Sequence, residues 1–549
     1  MTVAGMLAAA AASDRGGVRA VEHDGRETFR SYRAVLQEAL AIAGALQASG
    51  LRAGDRVALV VPEVADFIRA FFGISAAGLV PVPLCPPAQA GDLPTFTRQS
   101  RHILAAGRAN AVVTSADVAP LIDAGGLEPE PPILTIDRLQ GARSLTAPMD
   151  AAADSPALLQ FTSGSTAAPK GVVLTHANLQ ANLEAMTGPC GLAVTSADSA
   201  VSWLPLYHDM GLIGMLLSAV CTRDDITVLS PVLFLKRPTA WLEAISTHRA
   251  TVSFAPTFAY ELCVRRVKPS QIEALDLSSW RVAGCGAEPI RPETLDAFAD
   301  RFAPAGFRAS SFLPSYGLAE HSLAVTFAHG GLRLDAVDAD ALVRTGRAAP
   351  GANGSTRVVR LAACGRPFPD HEVRIVGGDG LPLRERHVGA IVARGPSVMR
   401  GYFDDPAATS EVLRDGWLHT GDLGYLAGGE LFVCGRTKDL IVRQGRKHHP
   451  PDLEAALADV PGIRASGVAV VGIGRVGEDD EVAAVIEARA SAAPDDLVDR
   501  ARRRVRETSG LDLDRVIVAP PGTIPRTTSG KVKRAEIRER IKAGTLLER

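Results

Sequence analysis

Residues 161–176 read FTSGSTAAPKGVVLTH and combine an apolar run, clustered hydroxyl side chains, glycines and a lysine. Gly164 lets the backbone approach a ligand closely, and Lys170 supplies a compact positive charge. The hydroxyl groups belong to Thr162, Ser163, Ser165 and Thr166. Such a loop suits a polyphosphate, because backbone N–H groups, hydroxyls and an ammonium all bind phosphate oxygens. Apolar residues precede the loop and a helical pattern follows it, so we predict a strand–loop–helix connection.

Two other interpretations of this loop are weaker. Gly164 and Lys170 have the spacing of a Walker A loop, but Pro169 replaces its second glycine and Gly171 its magnesium-binding Ser or Thr. A plain Ser/Thr-rich surface turn would not need this dense order of hydroxyls, glycine, proline and lysine. The pattern therefore favours a phosphate-binding loop of another kind.

Short β-rich runs alternate with helical patterns on both sides of this loop. The helical patterns cover 31–48 and roughly 65–77. The strand-like runs are RVALVV at 56–61, NAVVTSA at 110–116, ITVLSP at 226–231, TVSFAP at 251–256 and WRVAGCG at 280–286. This alternation predicts an α/β fold with largely parallel sheets.

Two stretches break the alternation and suggest the domain organisation. Residues of about 327–360 are polar and glycine-rich, which indicates a loop-rich insertion rather than core. A smaller α+β pattern starts after GRTKDLIVRQGRKHHP at 435–450. We therefore predict a large, multi-subdomain α/β domain over 1–435, a hinge at 436–440 and a small, mobile α+β domain over 441–549.

Composition excludes several classes of function. The 59 Lys and Arg residues nearly balance the 61 Asp and Glu residues, for a net charge of −2, so nucleic acid is an unfavourable partner. The seven cysteines stand singly, which is typical of reduced thiols and excludes a disulfide scaffold and a zinc module. No apolar run reaches the ~20 residues of a membrane span. MTVAGMLAAAAAS at the start has no basic residue before its apolar run, so we expect a frayed first helix and a cytoplasmic protein.

Five segments, in order, resemble the motifs of adenylate-forming enzymes, a superfamily that includes acyl-CoA synthetases, nonribosomal adenylation domains and luciferases. They are TSGSTAAPKG at 162–171, PSYGLAEHS at 314–322, LHTGDLGYL at 418–426, GRTKDLIV at 435–442 and PRTTSGKVKR at 525–534. The resemblance implies that a carboxylate attacks the α-phosphate of ATP, with Mg²⁺ as cofactor. An acyl-adenylate forms, and pyrophosphate leaves.

The resemblance also implies roles for residues of these segments in nucleotide binding. Tyr316 would offer an aromatic face to adenine, while Asp422 and Arg436 would contact the ribose. Other residues expected to bind the nucleotide are Gly286, Ala287, Glu288, Ser315 and Gly317. Taken singly, Tyr316 could be core and Asp422 an ordinary turn residue, but the ordered set favours the functional interpretation.

The catalytic residues follow from the same motifs. Lys531 would bridge the acyl carboxylate and the α-phosphate, although a lone lysine is ordinarily a surface charge, and Glu320 would hold Mg²⁺. Lys438 would be the hinge about which the C-terminal domain swings.

Further segments look most like fatty acyl-AMP ligases, which transfer the acyl group to the phosphopantetheine of a holo acyl carrier protein. These segments are WLPLYHDMGLIG at 203–214, APTFAY at 255–260, GRTKDLIVRQGRKHHPPDLE at 435–454 and the insertion. Within the first, His208 would gate or position the acyl carboxylate. The chain departs from the family pattern at His449, where a Tyr is common, and at 167–168, where two alanines lack side-chain donors.

The predicted substrate is therefore a medium- or long-chain fatty acid. A fatty acyl-CoA synthetase is the first alternative, because it shares the adenylation step. A non-catalytic acyl-adenylate-binding protein is the second, and the presence of Lys170, Glu320, Asp422 and Lys531 argues against it.

Overall fold

A nine-stranded sheet organises the larger part of the structure. The computed structural model describes residues 1–87, 93–139, 143–162, 169–351, 357–443, 446–474, 479–489, 494–526 and 531–546. The strands are β1 (Gly17–Val21), β2 (Glu27–Ser31), β3 (Arg56–Val60), β4 (Val80–Pro83), β5 (Ala111–Thr114), β6 (Ile133–Thr135), β7 (Pro156–Thr162), β8 (Lys170–Thr175), β9 (Ser199–Ser202), β10 (Asp225–Leu229), β11 (Val252–Ala255), β12 (Val282–Cys285), β13 (Phe312–Gly317), β14 (Ala324–Phe327), β15 (Leu334–Asp338), β16 (Val358–Ala362), β17 (Arg366–Pro367), β18 (Glu372–Val376), β19 (Gly389–Arg394), β20 (Gly401–Tyr402), β21 (Leu413–Arg414), β22 (Trp417–Ala427), β23 (Glu430–Arg436), β24 (Ile441–Arg443), β25 (Arg446–His448), β26 (Ile463–Ile473), β27 (Glu481–Ala488) and β28 (Arg515–Ala519). The helices are α1 (Val3–Ala11), α2 (Tyr32–Ala48), α3 (Val64–Ala76), α4 (Leu93–Ala106), α5 (His176–Thr187), α6 (Ser218–Thr222), α7 (Pro231–Lys236), α8 (Thr239–Thr247), α9 (Thr257–Arg266), α10 (Pro269–Ile272), α11 (Pro292–Phe302), α12 (Ala339–Thr345), α13 (Pro406–Val412), α14 (Pro450–Ala458), α15 (Pro494–Ser509) and α16 (Arg534–Lys542).

The predicted α/β architecture is confirmed. The nine-stranded sheet has the order β17-β14-β13-β12-β11-β9-β10-β1-β2, and its strands from β13 to β1 pair in parallel. Antiparallel strands close both edges. A second sheet, β4-β3-β5-β6, is parallel throughout, whereas the sheet that contains β18, β19, β22 and β23 is antiparallel.

The first helix is better ordered than the sequence suggested. We expected a frayed, alanine-rich start, but the Thr2 side chain accepts a hydrogen bond from the Gly5 N–H and caps α1. Val3, Met6 and Leu7 of α1 are buried in the main hydrophobic core. A cap and a buried apolar face together stabilise a short helix that propensity alone would leave marginal.

The glycine-rich loop after β7 differs from the predicted strand–loop–helix connection. The chain first returns as β8, antiparallel to β7, and only then enters α5. The apolar run at 171–174 is thus a buried strand, which stands between the loop and the predicted helix. Thr162 and Lys170 pair directly across the two strands, so both ends of the loop are fixed at the same place.

The insertion is also more ordered than expected. Instead of a loop-rich excursion, the described residues form the antiparallel strands β15 and β16 with α12 between them. Val337 and Leu342 are buried against Tyr425 and Phe432. These few apolar side chains are spread thinly along a polar sequence, which is why composition alone did not reveal the hairpin.

The C-terminal part has the predicted α+β character. Its sheet has the order β26-β27-β28, and α14, α15 and α16 pack around it. Two hydrophobic clusters in this part draw their buried residues from Ile441 to Leu546 and from nothing earlier in the chain. None of the helices that the structure describes is long and apolar enough to cross a membrane.

Candidate active site

A large cleft lies where the carboxyl ends of the parallel strands meet the C-terminal part. Its volume is about 3900 Å³, and it is lined by residues of β7, β8, β13, β22 and β23 and by the segment around Lys531. Open parallel sheets place ligand sites at this edge, because the loops that follow the strands converge there. The motifs predicted from the sequence therefore meet in one cavity.

The two ends of the predicted phosphate loop lie in this cleft, at the end of β7 and the start of β8. Thr162 and Lys170 line the cavity, whereas Ser163, Gly164, Ser165 and Thr166 lie outside the described residues. His102 of α4 lies beside the loop, with its Nε2 3.3 Å from the Pro169 carbonyl oxygen. Since a carbonyl only accepts, Nε2 carries the proton and ties α4 to the end of the loop.

The turn after β12 is shaped by close backbone packing. A Cβ on Gly286 would lie 2.5 Å from the Ser315 Oγ, so only glycine fits there. Ala287 has a positive φ of 69°, an uncommon conformation for a residue with a side chain. Glu288 accepts a hydrogen bond from the Phe258 N–H over 2.7 Å, and burial raises the pKa of its carboxyl group. The turn is thus held against α9 on one side and β13 on the other.

Tyr316, Asp422 and Arg436 form a connected group. The Tyr316 hydroxyl donates to Asp422 Oδ2 over 2.7 Å, and Arg436 Nε lies 3.0 Å from Asp422 Oδ1. Asp422 and Arg436 face each other directly in the β22–β23 pair. The neighbouring carboxylate is the main reason that the pKa of Arg436 is raised. These contacts fix the orientation of the Asp422 carboxylate, for which the sequence predicted a contact with the ribose. The hydrogen bond from the Tyr316 hydroxyl to this carboxylate was not predicted from the sequence.

Glu320 also lines the cleft, from the short turn Ala319–His321 that follows β13. Its Oε1 accepts a hydrogen bond from the Tyr402 hydroxyl over 2.8 Å, and burial raises the pKa of its carboxyl group. The ring of Tyr402 also faces Lys170, whose Nζ lies 5.0 Å from the ring centroid. The sequence singled out Glu320 and Lys170, but not the tyrosine that contacts both.

The chemistry around Glu320 fits a magnesium ion shared with phosphates. No group of three or more His, Cys, Asp or Glu side chains that could hold a metal occurs among the described residues. Mg²⁺ in phosphate-transfer sites commonly takes one or two carboxylates and completes its coordination with phosphate oxygens and water. One half-buried carboxylate, Glu320, matches what such a shared ion takes from the protein.

The segment that carries His208 lines the part of the cleft next to an apolar pocket. Gln160 of β7 donates from Nε2 to the Tyr207 carbonyl oxygen over 3.0 Å and holds this segment in place. Asp209 accepts from the Met210 N–H, and burial raises the pKa of its carboxyl group. Beyond it, aromatic and aliphatic side chains line the cavity: Met186, Trp203, Leu235, Phe254, Phe258 and Val264.

Lys531 reaches the cleft from the C-terminal part. Its charge interacts with those of Asp209, Glu288 and Asp422, and burial and the positive Arg436 together lower its pKa. A backbone bridge between Arg526 and Val532 closes the base of the loop that carries it. Residues that lie 322 positions apart in the sequence, Asp209 and Lys531, thus act on each other in the folded chain.

The hinge predicted at Lys438 lies at the end of β23, in a short 3₁₀ turn. The Arg538 guanidinium of α16 donates to the Lys438 carbonyl oxygen over 3.0 Å. Arg534 and Arg538 also pair with Asp439, at 3.4 Å and 3.3 Å. The residues that follow Lys438 are therefore bound to the C-terminal part by two arginines that the sequence did not identify.

His208 gives a prediction about pH. Burial, and secondarily the charge of Lys531, lowers the pKa of His208 from 6.5 to about 4. Since this value lies below that of a free histidine, His208 stays neutral from pH 8 down to about 5. The pH profile of adenylation should therefore contain no limb from His208 between pH 5.5 and 8. The His208→Asn variant should be about five- to tenfold slower, with a profile parallel to that of the native chain.

Initial rates of acyl-adenylate formation across this pH range would check the prediction. An inflection near pH 6.5 that is present in the native chain and lost in His208→Asn would contradict it.

Comparisons with known proteins agree with the geometry. The model of a family described as AMP-binding enzyme matches residues 8–403. The chain is 34% identical to the medium-chain-fatty-acid–[acyl-carrier-protein] ligase JamA of Moorena producens, over 94% of this chain and 90% of that protein. It is 39% identical to a Caulobacter vibrioides protein named provisionally as an acyl-CoA synthetase, over 94% of this chain and 90% of that one.

A solved structure from work on fatty acyl-adenylate ligases of E. coli and L. pneumophila has a similar fold. The TM-score is 0.94 and the identity 37%, over 99% of this chain and 98% of that chain.

Proposed function

Because the chain belongs to the AMP-binding enzyme family, which forms adenylates with ATP, we propose that its acid substrate is a medium- or long-chain fatty acid. The activated acyl group then passes to the phosphopantetheine thiol of an acyl carrier protein. The observation that carries the proposal is the placement of Lys531 in the same cleft as Asp422 and Glu320, next to an apolar pocket. A fatty acid needs such a pocket for its chain, and its carboxylate needs a positive charge at the pocket mouth.

The nucleotide would lie across the β12, β13 and β22 ends of the cleft. Adenine would contact Tyr316 and the turn at 286–288, while Asp422 would accept hydrogen bonds from the ribose hydroxyls. The triphosphate would lie in the loop between β7 and β8, with Lys170 at its exit. The two carboxylate oxygens of Asp422 already have fixed orientations, which supports a role in positioning the sugar.

The reaction needs positive charge more than it needs covalent help from the protein. The acid's carboxylate oxygen attacks the α-phosphorus of ATP, the bond to the β-phosphate oxygen breaks, and pyrophosphate leaves with the electron pair. Lys531 stabilises the charge that builds up between the two anions, as Lys170 does at the leaving group. Mg²⁺ bound at Glu320 would supply further neutralisation of phosphate charge.

The pocket next to His208 supports a fatty acid. Trp203 stacks on Phe234 at a ring-centroid distance of 3.8 Å, and Phe258 packs edge-on against Trp203 at 5.8 Å. Trp203 and Phe258 line the cavity, with Phe234 buried behind Trp203, so this wall gains more from an aliphatic chain than from a charged amino acid.

The second half-reaction requires Lys531 to leave the site. We propose that the C-terminal domain, 441–549, swings about Lys438 and the 436–440 hinge, relative to the domain formed by 1–435. Lys438 stands between β23 and the arginine contacts of α16, which supports a pivot at this residue.

The insertion supports a carrier protein as acceptor rather than coenzyme A. Its helix α12 lies against β25 of the C-terminal part, and the charge of Arg357 acts on Asp452 of α14. Because the insertion belongs to the large domain and contacts the C-terminal domain, it would restrain the rotation of the C-terminal domain. That rotation would otherwise open a route for coenzyme A.

Shortening the insertion should therefore relax the choice of acceptor. Replacing residues 340–356 with a short Gly-Ser linker keeps the β15–β16 pairing and removes most of α12. We expect acyl-CoA formation to rise about tenfold, while acyl-adenylate formation stays within about twofold, since a restraint of this size is worth about 1.4 kcal/mol. Unchanged acyl-CoA formation in the shortened chain would contradict the proposal.

A fatty acyl-CoA synthetase is the second candidate, favoured by the name of the Caulobacter vibrioides relative. Both candidates are tested by one experiment, in which the native chain receives ATP, fatty acids of graded length, coenzyme A and holo carrier protein together. Mass spectrometry should find the carrier protein that carries the fatty acyl group as a thioester as the main product. Acyl-CoA as the main product would select the second candidate.

A further inference from the structure

One tyrosine contacts both charged groups that would hold the phosphate end of ATP. The Tyr402 hydroxyl donates to Glu320 Oε1 over 2.8 Å, and the face of the same ring lies 5.0 Å from Lys170 Nζ. Tyr402 is partly buried and lines the cleft. A single side chain thus joins Lys170, where the predicted phosphate loop ends, to the Glu320 carboxylate.

The backbone around Tyr402 makes the same connection. The Met399 N–H donates to the Glu320 carbonyl oxygen over 2.9 Å, and the Phe403 N–H donates to the Gly171 carbonyl oxygen over 2.7 Å. Between them, Tyr402 pairs with Val172 in the β20–β8 ladder. The segment 399–403 therefore ties the residue after Lys170 to the turn that carries Glu320.

We infer that Tyr402 is a positioning residue for the metal–triphosphate end of ATP, acting through Glu320 with its hydroxyl and through Lys170 with its ring. The inference rests on the proposed function, in which Glu320 holds Mg²⁺ and Lys170 holds phosphate. The hydroxyl fixes the orientation of the carboxylate that the metal needs, as residues behind metal ligands commonly do. The ring attracts the ammonium and limits its directions, which are otherwise many for a flexible lysine.

The two contacts can be separated because they use different parts of the side chain. Tyr402→Phe removes the hydrogen bond to Glu320 and keeps the ring over Lys170. Tyr402→Leu removes both contacts. Comparing the two variants assigns each effect to one contact.

Binding measurements without turnover test the inference. Mn²⁺ affinity is measured by electron paramagnetic resonance in the presence of α,β-methylene-ATP and without fatty acid. Affinity for the same nucleotide is measured in EDTA by calorimetry. We expect about tenfold weaker Mn²⁺ binding in both variants, and about threefold to tenfold weaker metal-free nucleotide binding in Tyr402→Leu only.

Tyr425→Phe is the matched control, because Tyr425 donates a hydrogen bond of the same 2.8 Å length to Asp335, outside the cleft. It should leave both affinities within twofold of the native values.

Three results would overturn the inference. They are Mn²⁺ binding by Tyr402→Phe within twofold of the native chain, equal loss of metal-free nucleotide affinity in both variants, and native nucleotide affinity in Tyr402→Leu. The Phe variant keeps the test decisive if the Leu variant does not fold.

A different result tests the proposed function. A native chain that binds the nucleotide and Mn²⁺ but activates no fatty acid would refute the function and leave the role of Tyr402 intact.

Discussion

Replacing Lys531 with alanine is expected to lower the rate of acyl-adenylate formation by about 10²- to 10³-fold, with little change in the folding of the chain. The ammonium lies in the cleft among the carboxylates of Asp209, Glu288 and Asp422. In the proposed mechanism, it is the positive charge that the C-terminal part contributes where the acyl carboxylate and the α-phosphate meet. Removing one preorganised charge of this kind raises an activation barrier by about 3–4 kcal/mol.

Transfer from acyl-adenylate that is added ready-made should proceed at the native rate in the same variant, because in the proposed mechanism Lys531 has left the site by then. Lys533→Ala is the control, since Lys533 lies two residues away and pairs with Glu536 at 3.7 Å. The rate of acyl-adenylate formation in Lys533→Ala should stay within about threefold of the native rate. Equal losses in both half-reactions of Lys531→Ala would mean that the variant is misfolded or that the assigned role is wrong.

Replacing Asp422 with asparagine should raise the KM for ATP and lower kcat/KM for ATP by about 10²-fold. The substitution keeps the size of the side chain but removes the charge that pairs with Arg436, and one acceptor is lost for the ribose or for Tyr316. Hydrogen bonds to charged groups are worth about 1.5–3 kcal/mol each, which accounts for an effect of this size.

Asp335→Asn is a closely matched control. Asp335 also accepts a tyrosine hydroxyl, from Tyr425 at 2.8 Å, and pairs with an arginine, Arg386, at 3.0 Å. Both variants should therefore lose similar stability in thermal unfolding, about 1–2 kcal/mol. Only Asp422→Asn should lose ATP affinity. An equal loss of ATP affinity in the two variants would show that Asp422 acts through stability alone.

Patterns of apolar residues within a short stretch of sequence predicted the helices and strands whose buried face is continuous. The helix at 31–48 and the strand at 56–61 were found as α2 and β3, because a continuous apolar face is visible in a short window. The apolar run at 171–174 was not recognised as a strand, since it stands inside the motif that was interpreted as a loop. The insertion was interpreted as loop-rich because its few buried residues are far apart in the sequence.

The motifs predicted which residues line the cleft, but they did not predict the hydrogen bonds and ion pairs that connect these residues. Tyr402 and Gln160 were missed since each stands in a stretch without a recognised motif, and their partners are 82 and 47 positions away. Arg534 and Arg538 were missed because the role of an arginine depends on which groups the fold places opposite it. A sequence shows which groups are present, whereas tertiary packing decides which of them meet.

The most direct test is the exchange of labelled pyrophosphate into ATP, measured on the native chain with a series of fatty acids and no acceptor. Exchange reports reversible acyl-adenylate formation and nothing that follows it. We predict exchange that depends on a medium- or long-chain fatty acid and falls by at least about 10²-fold in Lys531→Ala. Absence of exchange with every fatty acid, or undiminished exchange in Lys531→Ala, would contradict the proposal that this cleft activates fatty acids with Lys531.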